Sequence, residues 1–113
     1  DVYYQPMILV FKHLFYKNYV GLSLWPFIIL KNDSLKADSV LINHEKIHLK
    51  QQLELLIPPF YVFYVCEWLV RSLWYLSFYR GYQNISFEQE AYHNEHNLNY
   101  PNERKFFSFI KYL

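Results

Sequence analysis

Two histidines four residues apart enclose a glutamate in the run His44-Glu45-Lys46-Ile47-His48. On an α-helix that spacing sets both imidazoles on one face, a turn apart, where they can be aimed at one metal ion. Glu45 lies about 100° around the helix from His44. It is poorly placed to ligate the same ion but can reach a water beside it and act as general base. The pattern also arises by chance, and without a metal His44 and His48 are ordinary partly buried helix residues, each satisfied by a hydrogen bond. The rest of the chain has to decide.

Cys66 is the only cysteine, so a thiolate zinc site is excluded and histidine and carboxylate remain as ligands. A catalytic zinc ordinarily takes three protein ligands and keeps one position open. Counting on from His48 through Gln51 reaches Glu54, but no glycine turns the chain at 51. Glu54 therefore sits about 240° round a continuing helix, facing away. A better source is the segment Phe87-Glu88-Gln89-Glu90-Ala91-Tyr92. Glu88 and Glu90 are separated by roughly 200° on a helix, so one of them at most can face the metal. His93 and His96, three apart, are a further pair of potential ligands, although Tyr92, Asn94, Glu95 and Asn97 make that stretch read as a solvated helix face.

An HExxH helix followed on a later helix by a Glu-x-x-Ala segment resembles the gluzincin metallopeptidases, a group that includes CAAX prenyl proteases, thermolysin-like enzymes and the small minigluzincins. The resemblance covers the helix from about 38 to 57, the strand before it, and residues 86 to 97. It implies a zinc ion held by His44, His48 and Glu88, with Glu90 as the alternative third ligand and Glu45 as general base. Tyr92 departs from the pattern, which usually has Asp or Asn there to hold a ligand histidine. Tyr92, His93, His96 and Tyr82 are candidate oxyanion donors, and Gln52, on the His48 face, is a candidate lining residue. The resemblance further implies an edge strand before the HExxH helix along which an extended peptide can lie.

The elements that must position these groups follow from pattern and punctuation. Gln5 to Tyr19 is apolar and aromatic, compatible with strand or helix. Gly21 to Leu30 reads as an edge strand, because Pro26 cannot donate to a ladder. Asp38 or Ser39 caps a helix running from Val40 to about Ile57, stopped by Pro58-Pro59. Phe60 to Tyr79 is apolar on nearly every face and is expected to be a mostly buried helix, with Glu67 and Arg71 paired one turn apart. Gly81 suits its C-cap, and Cys66 reads as a small buried apolar residue. Ser86, with Gln89 as capping-box partner, opens a helix reaching about Asn99, and a last helix spans Glu103 to Tyr112. The predicted architecture is a mainly α single domain over residues 1–113 with a short edge strand or minimal β element before the active-site helix.

Composition narrows the function. With 11 basic and 10 acidic residues and no long run of either sign, electrostatic nucleic-acid binding gets no support. The longest charge-free run in the second helix, Leu55 to Cys66, contains the double proline and falls short of the roughly 18 to 20 residues needed to span a bilayer. An aromatic content of 22%, rich in tyrosine, suits either a core of large rings or a surface resting on lipid. The expected function is zinc-dependent hydrolysis of peptide or protein substrates, in a cytoplasmic or membrane-peripheral setting. The rivals are a zinc-binding protein without turnover and a membrane-surface protein that retains the site.

Overall fold

A computed structural model describes residues 6–15 and 19–113. Three short strands form one sheet: β1 (Met7–Val10), β2 (Gly21–Leu24) and β3 (Phe27–Leu30), in the order β1-β3-β2. β3 is central, parallel to β1 and antiparallel to β2. The single strand expected from Gly21 to Leu30 is therefore a tight hairpin. Pro26 follows a cis Trp25–Pro26 bond in its turn, where no ladder donor is required. β2 keeps the edge position. Of the segment from Gln5 to Tyr19, β1 and a 3₁₀ turn at Lys12–Leu14 are seen, while Gln5 and residues 16–18 lie outside the described residues.

The remainder is helical: α1 (Ser39–Glu54), α2 (Pro58–Tyr75), α3 (Phe78–Gln83), α4 (Ser86–Asn94) and α5 (Tyr100–Glu103), followed by a 3₁₀ turn at Ser108–Tyr112. The mainly α fold with a minimal sheet matches the expectation. Asp38 caps α1 by accepting from the Leu41 amide at 3.1 Å. α1 ends before the double proline, as Leu56 and Ile57 turn the chain with positive φ, and the prolines then occupy the first turn of α2, where missing amide donors cost nothing.

Several expected boundaries move. The long second helix is two, because Leu76 takes a left-handed conformation and Ser77 then caps α3 by accepting from the Arg80 amide. Gly81 is not a C-cap but lies inside α3, where a side chain would meet the backbone of Ser72 at 2.6 Å. Its role is the close approach of α3 to α2. Ser86 and Gln89 form no capping box; Glu67 on α2 caps α4 by accepting from the Ser86 amide at 2.8 Å and its hydroxyl at 2.6 Å, while also lying 3.6 Å from Arg71. α4 stops at Asn94, and the expected terminal helix is the short α5 plus the 3₁₀ turn.

Two apolar clusters flank α1. Ile28, Leu30 and Leu49 join the sheet to its first side. Phe60, Ile85, Phe87 and Phe109 form the other, with Phe87 4.6 Å from the rings of both Phe60 and Phe109. Between them α1 buries a polar stripe: Asn43, His44, Glu45, His48, Gln51 and Gln52. Polar groups taken out of water cost free energy unless paired, so the partners of that stripe define the site. The expectation that the second helix is mostly buried fails, since only Phe60 and Ser72 of α2 are buried and Cys66 is exposed.

Candidate metal centre

Three buried ligand atoms converge. The Glu88 Oε1 atom lies 3.0 Å from His44 Nε2 and 3.0 Å from His48 Nε2, and the two Nε2 atoms are 3.2 Å apart. His44 and His48 come from adjacent turns of α1, as their spacing predicts. Glu88 comes from the first turn of α4, which packs directly across α1. The His44–His48–Glu88 group can hold a metal ion.

The protons on the two rings sharpen this. His44 Nδ1 is 2.7 Å from Glu95 Oε1, and a carboxylate only accepts, so Nδ1 carries the proton. His48 Nδ1 is 2.7 Å from Gln51 Oε1. The Gln51 amide is oriented by its nitrogen, which donates to the Phe87 carbonyl at 3.1 Å and to Glu90 at 3.0 Å. When both rings are neutral, their Nε2 lone pairs therefore turn toward each other and toward a carboxylate oxygen. Three acceptors at such distances repel unless a cation or a proton sits among them. Ligands at about 2.0–2.1 Å from a tetrahedral ion would be about 3.3 Å apart, close to the spacings seen, so the donor set fits a metal ion bound at such distances.

A proton can take that place as well. Burial disfavours a charged His48, but the Glu88 carboxylate outweighs it and raises its pKa to about 9. His44 is shifted upward too, burial again opposing and the Glu88 hydrogen bond prevailing. Burial pushes Glu88 up, yet His48 and His44 together hold it well below the usual carboxylate range. Its second oxygen accepts from the Tyr64 hydroxyl at 2.5 Å, so one oxygen is left for the metal position.

Glu45 is buried beside this group, and burial pushes its pKa up against the pull of His48 and His44. A side chain at position 21 would come within 3.1 Å of Glu45 Oε2, so Gly21 leaves the room in which this carboxylate lies against β2. Two clefts open onto Glu45. One, of about 230 Å³, is lined by His44, Gly21, Tyr79, Tyr82, Tyr92 and Glu95 among others. The second, of about 260 Å³, adds His48, Glu88, Tyr61 and Tyr64.

The remaining predicted residues divide. Tyr92 lies against His44, ring centroids 4.8 Å apart, and its hydroxyl is hydrogen-bonded to that of Tyr82. Glu90 is turned away: it accepts from Arg104 at Nε, from Tyr100 at 2.7 Å and from Gln51. Gln52 ties the hairpin to α1, accepting from the Trp25 amide at 2.8 Å and donating to the Ser23 carbonyl at 2.9 Å. His93 packs on Tyr112 outside the site, its Nδ1 donating to the Gln89 carbonyl, and His96 is exposed. Glu54 pairs with Arg104, away from the metal position as expected.

Glu95, Gln51 and Tyr64 join the site without a motif in the sequence to mark them. Glu95 follows Glu88 by seven residues, two helical turns, which places both on one face; that spacing was the available signal. Asn43 holds it there, donating to the carbonyls of Glu95 and Asn97 at 2.8 and 2.9 Å. Comparison with known protein families, with curated proteins and with solved structures found no match to this chain.

Proposed function

We propose that this chain is a zinc-dependent peptidase of the gluzincin kind, with zinc held by His44, His48 and Glu88. The observation that carries the reading is the convergence of three lone-pair donors, each with its orientation fixed by a further residue, beside a buried carboxylate that reaches two open clefts. Bound zinc would supply Lewis acidity and lower the pKa of a water at its open position toward about 7.

The chain's own groups then have assignable tasks. Glu45 takes a proton from that water at its carboxylate and passes it to the departing amine. Tyr92 and Tyr82 are among the tyrosine hydroxyls in the cleft with His44 that could face a developing oxyanion. β2 offers the substrate an edge. The Ser23 carbonyl already accepts from Gln52 and from Tyr61, and strand alternation turns Gly21 to the same side. Gly21 is the backbone that an extended peptide would pair with at the mouth of both clefts.

Replacing Glu45 with Gln tests the reading, scored by bound zinc and by cleavage of a mixed peptide library. The proposal expects zinc retained at the level of the unmodified protein and cleavage reduced by about 10²-fold or more. A zinc-loaded unmodified protein that cleaves nothing in the library would instead favour a metal-binding protein without turnover.

A further inference from the structure

The outward half of α2 is apolar, with Glu67 and Arg71 at one edge. Val62, Val65, Leu69, Val70, Leu73 and Trp74 are all exposed, Leu73 at 77% and Trp74 at 80%, and with Cys66 they cover about half the helix circumference along its length. At 18 residues α2 is about 27 Å long. Beyond its end Leu76 and Phe78 continue the apolar surface, exposed at 89% and 67%. A face this extensive marks an interaction surface.

Its rim indicates what covers it. Across α2, α3 and residues 104–113 Glu67 is the one acidic residue, and it is consumed by Ser86 and Arg71. Arg80, on the helix α3 that packs against α2, and Lys111, two residues before the Leu113 that lines a groove with Val62, Cys66 and Val70, are exposed. A two-fold pairing of chains through this face would set the cationic rim against itself. Anionic lipid headgroups complement it, with the aliphatic and indole side chains entering the acyl boundary. Among the described residues no single helix is long and apolar enough to cross a bilayer; α1 and α2, which reach that length and composition together, meet at a bend of 114°.

We infer that the outward face of α2 docks this protein on an anionic membrane surface. The inference is independent of the metal site. Cys66, the only cysteine, is exposed on this face and accepts an environment-sensitive fluorophore. The chain is expected to float with mixed phosphatidylcholine–phosphatidylglycerol vesicles, with the Cys66 label shifting to the blue. Binding should weaken several-fold at high salt and about tenfold or more in Leu73→Asp, whose exposed position spares the packing. Either of two results overturns the inference. One is a chain that stays with the unbound fraction or floats with its label unshifted. The other is a dimer in sedimentation equilibrium that Leu73→Asp dissolves, which gives the face to a second copy.

Discussion

At the scale of single residues, the site depends on groups that never touch the metal position. Glu95 and Gln51 hold the protons on the far nitrogens of His44 and His48, so that both Nε2 atoms face the metal position. Such partners usually carry a factor of about 10–100 in metal affinity. Glu95→Ala is therefore expected to weaken zinc binding by about that factor with the fold intact, measured by competition with a chromophoric chelator; an unchanged affinity would remove Glu95 from the account. The histidine spacing and Glu45 were plain in the sequence. Choosing between Glu88 and Glu90 was not, because both sit on one helix and the decision depends on what lies across from each. Glu88 faces α1 and Tyr64, whereas Glu90 faces Arg104, fourteen residues on. Glu95 read as solvated because its neighbours are polar, although Asn43, fifty-two residues earlier, draws it inward.

At the scale of elements, one buried arginine joins the end of α1, the middle of α4 and the chain after α5. Arg104 donates to Glu54 at 2.6 and 3.1 Å and to both oxygens of Glu90, and all three side chains are at most 3% exposed. Removing one partner of a buried ionic cluster leaves uncompensated charge, which costs about 3–5 kcal/mol. Arg104→Leu should lose about that much stability in urea denaturation, and a loss within the range of a surface substitution would contradict the role given to it. Helix α1 and the double proline were legible because capping and proline chemistry are local. The hairpin was not: with Trp25-Pro26 as its turn, it lacks the Asn-Gly or Asp-Gly signature, and a proline inside an apolar run marks a strand edge equally well. The exposure of α2 was equally hidden, since an apolar helix looks the same in sequence whether its cover is protein or lipid.

For the molecule as a whole, the same cluster sets an acid limit. Burial works against the Glu90 carboxylate, but Arg104 outweighs it and lowers its pKa. A carboxyl lowered by folding stabilises fully above its unfolded value of about 4.3 and loses that contribution as pH falls through its folded value. The thermal midpoint should accordingly decline below about pH 4, and Glu90→Gln should be less stable at neutral pH yet flatter in acid; parallel curves for the two would contradict the assignment. The measurement that bears most directly on the central claim is metal content. After purification under zinc-replete conditions and gel filtration, elemental analysis is predicted to find about one zinc per chain. A chain that emerges without metal would contradict the His44–His48–Glu88 centre.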